Sequence, residues 1–145
     1  MTRIAFHKTL SANDVGATGG HQGGVLIPKG ERELLAMLPP LDPQVKNPDV
    51  WLTCFDQYGE SFRFRFVYYN NKLHDQSGTR NEYRITYMTA WFRSQRAREG
   101  DIFEIGCDVG QRGYFVKVIS AAYATGKVED EGPARIQLRG WQRVH

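Results

Sequence analysis

The chain has 145 residues, 41% hydrophobic and 24% charged, which predicts one soluble globular domain over residues 1–145 with a core of its own. No apolar run is long enough for a membrane span, and the opening MTRIAFHKTL lacks the basic, apolar, small-residue order of a secretory leader, so an intracellular protein is expected. The formal charge of +3 is too small to indicate nucleic acid by itself, but 13 of the 19 basic residues are Arg, whose planar fork suits guanine edges and phosphates.

RIAFHKTL (3–10) alternates as a strand. LSANDVGATGGHQGGVLIP (10–28) follows, with five glycines between Gly16 and Gly24, and its end, GGVLIP (23–28), predicts a short apolar strand stopped by Pro28. KGERELLAML (29–38) places Leu34, Leu35 and Leu38 at helical spacing until the prolines at 39–40. Residues 41–49 are a proline-rich loop, and VWLTCFD (50–56) is an apolar strand. SFRFRFVYY (61–69) alternates strictly, with Phe62, Phe64 and Phe66 on one face and Arg63 and Arg65 on the other, as in a half-buried strand with a basic outer face. Residues 70–88 open polar, turn at Ser77–Gly78 and close as a strand. TAWFRSQRARE (89–99) predicts a short helix that packs Trp91 and Phe92. IFEIGCDV (102–109), GYFVKVISAAY (113–123) and RIQLRGW (135–141) are further strands, the last preceded by a loop at 124–134. Seven or eight strands, two short helices and no long helix between consecutive strands predict a mainly β (α+β) fold, closed or nearly closed, with the helices plugging its ends.

The glycines are followed by a strand and by no Lys-Ser or Lys-Thr pair, so they are not a phosphate loop. His7, His21, Cys54, His74 and Cys107 show no metal-ligand spacing, and the two cysteines sit in apolar runs as buried free thiols. There is no nucleophile elbow, and the Pro48-Asp49 pair is not followed by the acidic-x-Lys pattern of a metal-dependent nuclease. No catalytic group, metal or cofactor is expected. What stands out is a pair of polar excursions between strands, 11–22 and 70–82, each richer in hydrogen-bonding side chains than a turn requires. On an extended segment Arg80, Glu82 and Arg84 share one face in the order plus, minus, plus. Arginine forks onto guanine O6 and N7 and a carboxylate accepts from cytosine N4, so this row can read C·G pairs in a major groove; an exposed salt-bridge row has the same spacing.

LSANDVGATGGHQ with Ile27-Pro28, then YYN (68–70) with TRNEYRIT (79–86), resemble the N-terminal effector domain of EcoRII-type restriction endonucleases, the Type IIE enzymes that recognise CCWGG. Trp91, Phe92, Gly100, Asp101 and Phe103 are similar to the plant B-three transcription-factor domain, which shares the DNA-binding pseudobarrel fold. The resemblance implies a seven-stranded open pseudobarrel with two short helices and two arms, an N-arm at about 11–24 and a C-arm at about 70–84, that embrace double-stranded DNA from the major groove. The reader His of the N-arm falls on His21, and the C-arm readers fall on Arg80, Glu82 and Arg84. Leu26 stands where the family has a Tyr, and Gly78 and Tyr83 stand where it has Lys.

On this reading the N-arm reads through His21, Gln22 and Asn13 or Asp14, and the C-arm through Arg80, Glu82 and Arg84 with Asn81 nearby. Lys8, Ser11, Lys29, Arg63, Arg65, Lys72 and Tyr83 are candidates for the DNA backbone. A monomer in a prokaryotic cytoplasm is implied, without cleavage of its own, joined to a C-terminal nuclease domain in a full-length enzyme. A stand-alone regulator of the same fold, a small nuclease with an unrecognised site, a single-strand or RNA binder and a protein-interaction barrel are the alternatives.

Overall fold

A computed structural model describes residues 2–16, 24–122 and 140–145. The elements in chain order are β1 (Arg3–Thr9), β2 (Val25–Ile27), α1 (Arg32–Met37), β3 (Asp49–Phe55), β4 (Ser61–Tyr69), α2 (Asn71–His74), β5 (Glu82–Thr86), α3 (Thr89–Ser94), β6 (Ile102–Asp108), β7 (Tyr114–Ile119) and β8 (Trp141–Arg143). Among the described residues the strands form one eight-stranded sheet in the order β2-β5-β4-β3-β7-β6-β1-β8. Its pairings are antiparallel except at the centre, where β3 meets β7 in parallel over two pairs, Cys54 with Tyr114 and Phe55 with Phe115.

The sheet curls until its two edges meet. Trp141 Nε1, on edge strand β8, donates a 2.9 Å hydrogen bond to the Leu26 carbonyl on edge strand β2. This is the expected nearly closed β barrel; among the described residues it has eight strands where the family resemblance implied seven, and three short helices where it implied two. The additional helix, α2, lies in the second polar excursion, where NKLH carries no apolar period to announce it. Of the strand expected at 135–141, Gly140 and Trp141 fall among the described residues, and β8 runs from Trp141 to Arg143.

Period-2 alternation decides what enters the barrel. Phe64 and Phe66 of β4 are buried while Arg63 and Arg65 face outward, and Leu52 and Cys54 of β3 pack inward beside them. The helices close the ends: α1 contributes Leu34 and α3 contributes Trp91 and Phe92, all buried. Trp91 is the hub, its ring centroid 5.5 Å from Phe64 and 5.8 Å from Phe103. Each such side chain contributes roughly 1.5–3 kcal/mol by leaving water. The outward face of β2, β5, β4 and β3 is left to the polar side chains considered next.

Candidate nucleic-acid interface

In β5, Tyr83 and Ile85 turn toward the core, which leaves Glu82, Arg84 and Thr86 on the outer face. Arg84 Nε donates to Glu82 Oε2 at 2.5 Å, and Arg80 Nη2 reaches the same oxygen at 3.3 Å. The Arg80 guanidinium also lies 3.7 Å over the ring of Tyr69, on the neighbouring strand. The plus, minus, plus row is therefore assembled, with its central oxygen locking both arginines. Glu82 Oε1 and the terminal nitrogens of Arg84 take no hydrogen-bond partner among the described residues. Burial works to raise the Glu82 carboxyl's pKa, but the hydrogen bonds and charges of Arg84 and Arg80 outweigh it, and the net shift is downward. The row lines a concave cleft of about 510 Å³, together with Asn13, Arg65, Tyr69, Thr86 and Tyr87. Asn13 belongs to the first polar excursion, so the cleft joins the two excursions that the sequence singled out.

The second excursion is built as a rigid hairpin. Asn70, fully buried at its base, accepts from Asn47 N at 2.7 Å and donates to the carbonyls of Val45 at 2.9 Å and Pro43 at 3.2 Å. Its own backbone N–H donates to Asn47 Oδ1 at 3.0 Å. Asn71 Oδ1 then accepts from Arg80 N at 2.8 Å, while Lys72 N donates to Arg80 O at 3.0 Å. The turn closes so tightly that a Cβ on Gly78 would stand 2.2 Å from the Asn71 carbonyl oxygen. Glycine at that position, where the resemblance suggests a lysine, is a packing requirement of this hairpin. Sequence reasoning missed Asn70, Asn71 and Tyr69. Tyr69 could have been found from its place on the Arg63–Arg65 face of β4.

The first excursion is pinned at both feet. Gly24 N donates to Asp14 O at 2.9 Å, and a Cβ on Gly24 would strike the Ile85 carbonyl at 2.4 Å, so β2 begins flush against β5. The Asp14 carboxylate accepts from Lys8 Nζ at 2.5 Å and from Ser11 N at 2.9 Å, and Ser11 Oγ accepts from Asp14 N at 3.1 Å. Lys8 and Asp14, expected to face a phosphate and a base, are both buried and spend their charges on each other. Ser11 is drawn into the same turn. His21 and Gln22 lie outside the described residues.

The remaining candidates divide by face. Asn81 and Tyr83 point away from the reading row: Asn81 Oδ1 accepts from Tyr68 Oη at 2.5 Å, and the Tyr83 ring stacks on Tyr68 with centroids 4.3 Å apart. Burial raises the pKa of the Tyr83 hydroxyl. Arg65 lines the cleft but is bound to Asp49, Nε to Oδ2 at 2.6 Å, a bond that raises its pKa. Arg63 is exposed over the Trp51 ring at 5.4 Å and has no carboxylate partner among the described residues. Lys72 is exposed on α2, and Lys29 lies 5.7 Å over the Tyr68 ring.

Residues 2–102 match the family described as restriction endonuclease EcoRII, N-terminal. The chain belongs to that family. The Type II restriction enzyme EcoRII of Escherichia coli is 44% identical over 86 residues, a match that covers 57% of this chain and 20% of the enzyme. The EcoRII-N assignment thus concerns about a fifth of that relative's length. Among solved structures, the Arabidopsis FUS3–DNA complex superposes with a TM-score of 0.61 at 20% identity, over 81% of this chain and 98% of FUS3's. The B3 domain of UbaLAI restriction endonuclease, solved with cognate DNA, gives a TM-score of 0.59 at 21% identity, over 97% of this chain and 86% of that one. At these identities the likeness is one of fold: this EcoRII-N family member has the B3 architecture.

Proposed function

We propose that this chain is a sequence-specific double-stranded DNA-binding domain, one domain over residues 1–145, that reads a CCWGG-like site in the major groove with its N-arm (about 11–24) and C-arm (about 70–84). The observation that carries the reading is the Arg80–Glu82–Arg84 row on the wall of the shared cleft. A carboxylate repels phosphate, so one set between two arginines suits base edges better than plain backbone clamping. The arginines fork onto guanines, and Glu82 Oε1 accepts from a cytosine amino group. Asn13 contributes from the N-arm side, with His21 and Gln22 as its further readers. Arg63, Lys72 and Lys29 position phosphates, and Arg65 does so in exchange for Asp49. Lys8, Asp14, Asn81 and Tyr83 hold the arms in shape.

In a full-length enzyme the domain binds one copy of the site as a monomeric effector unit, within a prokaryotic cytoplasm, and a C-terminal nuclease domain does the cutting. The family, the B3 fold and the DNA present in both neighbouring structures support this reading. Among the described residues, no cluster of three or more His, Cys, Asp or Glu is placed to hold a metal, and no helix is long and apolar enough to cross a membrane.

The deciding experiment is selection from a random duplex library at fixed salt. Recovery of a short C·G-flanked, nearly palindromic motif is the expected result. Uniform recovery of all sequences would overturn the proposal, and a preference for single strands in competition would redirect it to another class of ligand.

A further inference from the structure

β2 turns Val25 and Ile27 into the core and Leu26 outward, 37% exposed. The register sets Leu26 opposite Arg84, so it stands on the same outer face as the reading row and directly beside its last arginine. Its neighbours on β5 are Glu82, Arg84 and Thr86, all hydrogen-bonding groups. The backbone beneath it is held on both sides, by the β5 ladder and by the Trp141 indole on its carbonyl. Gly24, backed against Ile85, fixes where the strand begins. An isolated exposed leucine is ordinary on a protein surface. One rigidly presented in a row of base-reading groups faces a surface that has a single apolar feature, since in the major groove the C5-methyl of a pyrimidine is the group that offers no hydrogen bond.

Resting on the DNA-reading proposal above, we infer that Leu26 is a specificity contact to a pyrimidine C5-methyl group close to the guanine forked by Arg84. Directly opposed residues on one sheet face stand about 4.5–5.5 Å apart. Successive base pairs stand about 3.4 Å apart. The methyl therefore lies within one or two base pairs of that guanine. Thymine and 5-methylcytosine present the same methyl at the same edge, and they are told apart by changing the DNA.

The test is a cycle that crosses the methyl with the side chain. In the selected duplex each thymine is replaced in turn by uracil and each cytosine by 5-methylcytosine, and dissociation constants are measured for the wild-type chain, Leu26→Ala and Leu26→Met. A thymine contact predicts that one uracil substitution weakens wild type about fourfold, the effect of exposing one methyl. Leu26→Met keeps that response and Leu26→Ala loses it. A 5-methylcytosine contact predicts the mirror result, about fourfold tighter binding at one methylated cytosine, again lost in Leu26→Ala. If wild type and Leu26→Ala respond alike at every position while the selected duplex is still preferred over a scrambled one, the inference falls and the reading of DNA stands. If wild type does not prefer the selected duplex, the reading falls and takes the inference with it.

Discussion

Glu82 is the residue on which the cleft turns, because one of its oxygens restrains two arginines and the other takes no partner among the described residues. On the proposed reading, Glu82→Ala should weaken binding to the cognate duplex by about 1–3 kcal/mol and relax discrimination at one C·G pair. Titrations against cognate and scrambled duplexes check this, and an equal loss on both would remove Glu82 from base reading. Its ionisation has a second consequence. Burial pushes its pKa up, but Arg84 and Arg80 bring it below the unfolded value, so its carboxylate favours the folded state. That contribution is fully present above the unfolded carboxylate pKa and is lost as pH falls through the lower folded value. Urea unfolding of Glu82→Gln between about pH 3 and 7 should show a shallower acid limb than wild type. Glu104 follows the same sign through its 2.6 Å hydrogen bond with His7, so a residual slope is expected in that variant.

At the scale of elements, the proposed C-arm is a hairpin held in shape by its side chains. Asn70→Ala should destabilise the domain by about 1–3 kcal/mol, because backbone groups at Val45, Pro43 and Asn47 lose their buried partner. It should also lower affinity, since Asn70 fixes the base of the hairpin whose next residue, Asn71, holds the Arg80 backbone. Thermal unfolding and duplex titration together measure both effects, and full affinity in a destabilised variant would show that the hairpin is held by other bonds. None of this was legible in the sequence. The Phe and Arg alternation of β4 announces its faces because side-chain period and strand period coincide, and the same periodicity correctly aligned Arg80, Glu82 and Arg84. The partners of Asn70 lie 23 to 27 residues away, so no local pattern encodes them. Lys8 and Asp14 mislead for a related reason: in a polar loop an Asp reads as solvent-facing, and only the turn closed by Ser11 brings it back onto the lysine. Leu26 departs from the family pattern in the sequence, but its place beside Arg84 follows only from the strand register.

For the whole molecule, the relevant division is between two four-stranded halves, β2-β5-β4-β3 and β7-β6-β1-β8. On one side they are joined by the two parallel pairs of β3 and β7, and on the other by the Trp141 indole on Leu26 O and by Gly24 N on Asp14 O. Trp141→Phe leaves a smaller aromatic ring against Phe103, which the indole meets edge-on at 6.1 Å, and deletes the indole donor. It should cost about 1 kcal/mol, read from the urea midpoint, and an unchanged midpoint would show that the indole bond contributes nothing to closure.

The two arms are rooted differently across that division. The C-arm leaves β4 and returns to β5 within one half, whereas the N-arm leaves β1 in one half and re-enters at β2 in the other. The spacing between the roots of the two arms therefore depends on how the two halves sit against each other. The hydrogen bonds of the Trp141 indole to Leu26 O and of Gly24 N to Asp14 O span the rim where the sheet edges meet, and both bear on that spacing. In the proposed complex, grip on a duplex and closure of the barrel become one mechanical quantity, adjustable from positions that never touch a base.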